Sequence, residues 1–407
     1  MTNLERLLKY VAIKTPSDAN NDTVHPSSQV QFNLATALKN EMENLGISNV
    51  FLSDTCYLYG KLPATKGLED KTPIGFIAHM DTVSDYVTAP IKPQIIKNYN
   101  GEVLPLSDSG LVLHPENFPH LPSLKGRTLI TTDGRTILGG DDKAGIAEIL
   151  TLCERLLTED IPHGPISIAF TPDEEIGTGA HGFDVARFGA TYGYTLDGDT
   201  EGEIQYENFN ACKAVFQISG FSVHPGSSKD TMINASLVAM EINGLLPGLE
   251  TPRNTENYEG FYHLDAMEGD VGEATLSYIV RDHDAASFKA KKKTLRLIEK
   301  GLNEKWGDGT VTLTITDQYR NMSQIIAGCM ELIDYATEAA KRSGIAPIIT
   351  PIRGGTDGAT LSFMGLPCPN LGTGGHAFHG PYEHISVEGM DAATNMALEI
   401  VKLFAQK

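Results

Sequence analysis

The chain has 407 residues, 41% hydrophobic and 21% charged, with 32 Lys plus Arg against 52 Asp plus Glu for a formal net charge of −20. That length exceeds what one core grows to fill, so two domains are expected, and the composition is that of an ordinary globular protein. The acidic balance argues against nucleic acid and anionic membranes as partners.

Residues 3 to 12 and 28 to 46 carry helical spacing, with Gly46 as C-cap of the second. The opening MTNLERLLKYVAI reads as an amphipathic helix and lacks a signal peptide's basic start and unbroken apolar core. No apolar run reaches the ~18 residues that span a bilayer. Cys56, Cys153, Cys212, Cys329 and Cys368 are scattered, odd in number and never in a CxxC pair, which speaks for reduced thiols rather than a disulfide framework or a cysteine zinc site. A cytoplasmic protein is expected. Between the two helices, TPSDANNDTVHPSS is a polar loop, and its His25 reads as solvent-exposed.

Short strands follow around 50 to 62 and 73 to 79. The stretch 84 to 128 reads as long loops carrying His114 and His120. Strand, helix and strand then alternate through 129 to 197, the mark of an α/β sheet with parallel neighbours. After about residue 207, CKAVFQISG, ATLSYIVRDH and TVTLTITDQY read as strands, with helices at MINASLVAMEINGLL and over 286 to 306. Residues 324 to 343 are helical, IAPIIT is strand-like, and a last helix runs from 387 to 405. The expected architecture is a mixed, largely parallel sheet flanked by helices, residues 1–207 and 321–407. A smaller α+β domain, 208–320, is inserted into it.

The chemistry gathers around LGGDDKAGIAEIL, residues 138 to 150. An acidic pair before a helix can simply cap it, so Asp141 and Asp142 alone decide nothing. Their neighbours change the balance. IGFIAHMDTV ends a strand in His79 and Asp81, ISIAFTPDEEIG ends one in Glu174 and Glu175, and YGYTLDGD ends one in Asp197; GGHAFHGPYEH lies near the C-terminus. Ligands of open α/β sheets bind beyond the carboxyl ends of the strands, so these groups can converge. Imidazole plus carboxylate, without thiolate, suits zinc, manganese or cobalt in a hydrolytic site. LGGDDKAG lacks both the P-loop Lys-Ser/Thr and a GxGxxG, so nothing supports nucleotide binding.

IGFIAHMDT, LGGDDKAG, TPDEEIG, LDGD, SGFSVHPG and IRGGTDGA occur in the order in which they stand in another known group. Over essentially its whole length the chain resembles the peptidase T family, tripeptide aminopeptidases of the dizinc exopeptidase superfamily that also holds carboxypeptidase G and succinyl-diaminopimelate desuccinylase. The resemblance implies two zinc ions per subunit, replaceable by manganese or cobalt. His79 and Asp197 would hold one, Glu175 and His379 the other, and Asp141 would bridge them through a segment with a cis Asp141–Asp142 bond. It implies that Asp81 orients His79 and that Glu174 is the general base. It further implies that His224 polarises the scissile carbonyl or holds the oxyanion and that Arg281 and Arg353 bind a substrate carboxylate. Residue types alone leave Asp141 and Asp142, and Glu174 and Glu175, interchangeable. His376 and His384 read as surface or supporting residues, and His181 as a structural loop residue.

The function this implies is release of the N-terminal residue from tripeptides by a homodimer paired through 208–320. Alternatives are a dipeptidase, carboxypeptidase or N-acyl-amino-acid deacylase of the same superfamily, or an inactive peptide-binding scaffold. Retention of every ligand together with Glu174 and Asp81 speaks against the last.

Overall fold

The computed structural model describes residues 1–407 except Asp22, Thr88 and Asp108. The chain divides into two compact units, one of Met1–Tyr206, Met322–Thr350 and Thr356–Lys407, the other of Glu207–Asn321 and Pro351–Gly355.

The first unit is built on an eight-stranded sheet in the order Ser48–Leu52, Leu58–Leu62, Ile166–Thr171, Ile74–His79, Tyr192–Gly198, Asn370–Gly372, Glu203–Gln205, Ile348–Ile349. The four strands from Ile166–Thr171 to Asn370–Gly372 run parallel, and antiparallel pairing begins on either side of them. Parallel strands covered on both faces need apolar residues at every position rather than every second one. Ile74–His79 and Ile166–Thr171 are accordingly buried throughout. The helix Gly140–Thr158 packs on Ile74–His79 and Tyr192–Gly198, and Val387–Gln406 packs on that helix. Gly145 permits the close approach, because a Cβ there would collide with the Leu196 carbonyl oxygen.

The second unit is a four-stranded antiparallel sheet in the order Phe261–Gly269, Glu273–Asp282, Asn210–Ser219, Val311–Tyr319. Burial alternates along Glu273–Asp282, as it must when one face meets a core and the other does not. The helices Ala235–Leu245 and Ala285–Trp306 cover the apolar face around Phe216, Leu276, Val280 and Leu295.

Three local expectations change. The stretch 84–128 is not simply loop. Gln94–Ile96 and Leu129–Thr131 join Gly375–His376 and His384–Ser386 in a second sheet, and Tyr99, Leu106, Leu113 and Leu121 form a small core. The expected helix over 324 to 343 is broken into Ser323–Ile326 and Glu331–Arg342, with Gly328 between them. His25 is half-buried rather than fully exposed; its Nδ1 stands 3.1 Å from Asp173 Oδ2. Local composition signals a turn but cannot show what packs over it.

Candidate metal centre

Five segments deliver imidazoles and carboxylates to one end of the parallel strands. Ile74–His79 ends in His79, in register with Thr171 of its neighbour. Beyond Thr171 the chain passes Asp173, held at a left-handed φ of 58°, into the 3-10 turn that starts with Glu174 and Glu175. Asp197 lies near the end of Tyr192–Gly198. Asp141 is in the first turn of Gly140–Thr158 but departs from helical geometry at φ −78°, ψ 109°, and the Asp141–Asp142 peptide bond is cis. His379, with φ 64°, sits on the loop between Gly375–His376 and His384–Ser386.

Asp141 faces two histidines, one with each oxygen. Oδ1 lies 3.0 Å from His79 Nε2, and Oδ2 lies 2.9 Å from His379 Nε2. His79 Nε2 is also 3.4 Å from Asp197 Oδ1, and His379 Nε2 is 3.1 Å from Glu175 Oε2. Two donor trios result, His79–Asp141–Asp197 and Asp141–Glu175–His379. A tetrahedral ion with bonds of about 2.0–2.1 Å keeps its donors about 3.3 Å apart. Spacings of 2.9–3.4 Å between nitrogen and oxygen donors fit a pair of such ions sharing Asp141.

The electrostatics show that the cluster draws positive charge. Burial and the neighbouring Asp141 push Glu175 up to about 7. Burial, Asp141 and Asp197 push Asp199 up to about 6. His379 is pulled up to about 11 by hydrogen bonds to Asp141 and Glu175. Burial opposes charge on His79, yet Asp141 and Asp197 outweigh it and raise His79 well above the ordinary imidazole range. Protons are drawn to positions where the geometry fits metal ions.

A family model described as peptidase family M20/M25/M40 matches residues 131–403. A protein named peptidase T from Geobacillus sp. is 50% identical over 406 residues, 99% of this chain and 98% of its own. Another of that name from Clostridium perfringens is 50% identical over 404 residues, 99% of each chain. The chain belongs to peptidase family M20/M25/M40. It is an enzyme of the peptidase class. The fold agrees: a crystal structure of aminopeptidase PepT from Bacillus cereus superposes with a TM-score of 0.79 at 24% identity, covering 100% of this chain and 98% of the other. A Bacillus subtilis protein described as a dinuclear metal binding peptidase of the M20 family superposes at 0.65 and 15% identity, over 99% of each chain.

Within this M20 peptidase the supporting contacts separate the residues that sequence left interchangeable. Asp142 is buried and holds backbone, accepting the N–H of His79 at 3.1 Å and of Gly145 at 3.2 Å. Asp141 alone of the pair faces the histidines. Asp81 acts on two segments. Its backbone carbonyl is 3.0 Å from His79 Nδ1, with its Oδ1 at 3.4 Å from the same nitrogen. Its carboxylate accepts the N–H groups of Glu174 at 3.0 Å and Glu175 at 3.2 Å. An Nδ1–H donated to Asp81 leaves His79 Nε2 bare, the tautomer that binds a metal. Glu174 is half-buried, and burial together with Asp197 raises its carboxyl well above the usual range.

The three expected substrate-binding residues lie in the second unit. His224 is exposed at the turn Pro225–Ser227, its Nδ1 accepting the Gly226 N–H. Arg281 donates to Gln318 Oε1 at 3.1 Å and stands 5.1 Å from the Tyr319 ring centroid. Arg353 is more engaged. Its Nη atoms donate to the carbonyls of Asn257, Glu259 and Thr255 and to the Thr255 hydroxyl, over the rings of Phe209 and Phe261.

Sequence reading missed three buried acids. Asp357 accepts the Thr171 hydroxyl at 2.8 Å. Asp173 anchors the loop before the glutamate pair. Glu383 accepts N–H groups from the segment leading into Asp141. His376 and His384 are also not surface residues. Both are buried and stack with His120, at ring-centroid distances of 4.0 Å and 5.0 Å.

Proposed function

We propose that this chain is a metal-dependent aminopeptidase that releases the N-terminal residue of tripeptides, with two zinc ions per subunit. The observation that carries the reading is the pair of donor trios sharing Asp141. Full-length relatives named peptidase T support the substrate class. His79, Asp141, Asp197, Glu175 and His379 would hold the metals, which would supply Lewis acidity for polarising a carbonyl and acidifying water. Glu174 takes the proton of the attacking water and passes it to the departing amine. Asp81 orients both participants, through Nδ1 of His79 and the N–H of Glu174. The acidic surroundings receive the substrate's free ammonium. His224 steadies the developing oxyanion, and Arg281 and Arg353 receive the far carboxylate.

The chain acts as a homodimer paired through the second unit. There Leu237, Met240 and Leu245 expose 62%, 63% and 53% of their surface along one helix, more than an isolated apolar face favours. Among the described residues the five cysteines are free and buried, as in a reducing cytoplasm. No helix of the described residues is long and apolar enough to cross a membrane.

A release assay on di-, tri- and tetrapeptides and on N-acyl amino acids tests the reading. Tripeptides are expected to be cleaved fastest, with activity lost on chelation and restored by zinc. Faster cleavage of N-acyl amino acids or dipeptides would replace it with another activity of the superfamily.

A further inference from the structure

The loop that carries His379 also carries a second carboxylate aimed at Asp141's own backbone. Glu383 is 1% exposed. Its Oε2 accepts the N–H of Leu138 at 2.6 Å and of Gly139 at 2.9 Å; its Oε1 accepts the N–H of Gly140 at 2.6 Å and of Asp141 at 3.1 Å. All four partners are donors, so both oxygens act as acceptors.

These four N–H groups precede or open the helix Gly140–Thr158, where no helical carbonyl can receive them. A helix normally meets this need with the side chain of its own cap, but the cap here is Gly139, which has none. A carboxylate 242 residues along the chain from Asp141 replaces it. Sequence and geometry agree on the glycine pair. Gly139 has a left-handed φ of 73°, and a Cβ on Gly140 would lie 3.1 Å from Glu383 Oε1.

We propose that Glu383 is a positioning residue that sets the separation of Asp141 and His379, and thereby assembles the metal position formed by Asp141, Glu175 and His379. The inference rests on the metal-pair reading above. Glu383 grips the Asp141 backbone from the loop that presents His379, so one short segment fixes both ends of the 2.9 Å contact between His379 Nε2 and Asp141 Oδ2. His79 is held independently, by the Asp81 carbonyl and by Asp142. Loss of the clamp therefore loosens most the position that includes His379, where both Asp141 and His379 shift, and loosens less the His79 position, where only the shared Asp141 shifts.

Cobalt(II) titration of the metal-stripped full-length protein, followed by calorimetry and visible absorption, tests this. Wild type is expected to bind two ions. Glu383→Gln keeps the side-chain shape but turns an amide NH2 toward two N–H donors. It is expected to keep one tight ion and bind the other at least tenfold more weakly, with an altered visible spectrum and a far-UV circular dichroism spectrum like wild type. Its kcat should fall much more than its KM rises. Gly140→Ala, which crowds Oε1, should move metal affinity the same way by a few-fold, and it carries the test if Glu383→Gln does not fold. Two ions bound with wild-type affinity and spectrum by the folded variant would overturn the inference while leaving the metal pair intact. Wild type binding fewer than two ions would overturn both.

Discussion

The buried carboxylate of Asp173 accepts both the backbone N–H and the hydroxyl of Ser27, at 2.8 Å and 2.6 Å. Gln31 donates to the same carboxylate at 2.6 Å. The early polar loop and the first turn of the helix Gln31–Leu45 are thus tied to the residue immediately before Glu174. Asp173→Ala leaves those donors buried without their acceptor, at about 1–3 kcal/mol for each unsatisfied group. The expected outcome is a loss of several kcal/mol in urea unfolding, together with a fall in kcat. A variant as stable as wild type would show that this loop does not support the glutamate pair.

The roles of Glu174 and Glu175 can be separated by metal content. Glu174→Gln removes a base and not a ligand, so turnover should fall by a factor of about 10²–10⁴, the usual range for a general base, while both ions remain. Glu175→Gln should lose the ion shared with His379, and Asp141→Ala should lose both. Elemental analysis after dialysis, paired with turnover, reads all three. An emptied site in Glu174→Gln beside a full one in Glu175→Gln would reverse the assignment.

Acid stability is expected to depend on the histidine stack. His384 Nδ1 donates to the Tyr382 carbonyl, so its Nε2 is bare and accepts from His120 Nε2 at 2.8 Å. Burial, then His120, His384 and Arg127, push His376 down to about 2. Burial, only partly opposed by the Tyr382 carbonyl, brings His384 down to about 4, and burial also lowers His120. These imidazoles bind protons less readily folded than unfolded, so their contribution is complete above pH ~6.5 and declines as pH falls toward 4. The melting temperature of the metal-loaded enzyme should therefore drop across that window. In His376→Phe, which keeps a flat ring and removes a titrating group, it should drop less. Parallel curves would show that the stack does not set acid stability.

Substrate length is expected to be read by arginine. A charge-assisted hydrogen bond contributes about 1.5–3 kcal/mol, or roughly tenfold to a hundredfold in affinity. Arg281→Ala should lower kcat/KM for a tripeptide by that factor and leave the corresponding tripeptide amide nearly unaffected. Arg353→Ala should differ, because its Nη atoms already hold the carbonyls of residues 255, 257 and 259. It should lose second-unit stability as well as carboxylate discrimination. Equal cleavage of acid and amide by wild type would remove the arginines from this role.

Association can be tested on the exposed helix face. Met240→Glu places a charge amid Leu237 and Leu245 and should convert a dimeric mass in sedimentation to a monomeric one at micromolar concentration. A monomeric wild type would remove the dimer from the reading.

What the sequence by itself determined here is what repeats along the chain. Apolar-rich runs, with strand and helix alternating, marked Ile74–His79 and Ile166–Thr171 as strands of an α/β sheet with parallel neighbours, and such strands are buried on both faces. The acids and imidazoles at the ends of those runs could be picked out for the same reason, since strand ends converge wherever strands are parallel neighbours. Residue type alone could not say which member of an adjacent pair faces inward. Asp141 and Asp142 have the same chemistry, and only the backbone turn at Asp141 sends one carboxylate to the histidines and the other to the N–H groups of His79 and Gly145. The acids that hold backbone were invisible for a related reason. Glu383 and Asp173 act on partners 242 and 146 residues away, and no local pattern records a donor that folding brings from such a distance. His120 read as a loop residue, and His376 and His384 as surface or supporting residues, until separate segments packed the three rings into one stack with His376 and His384 buried.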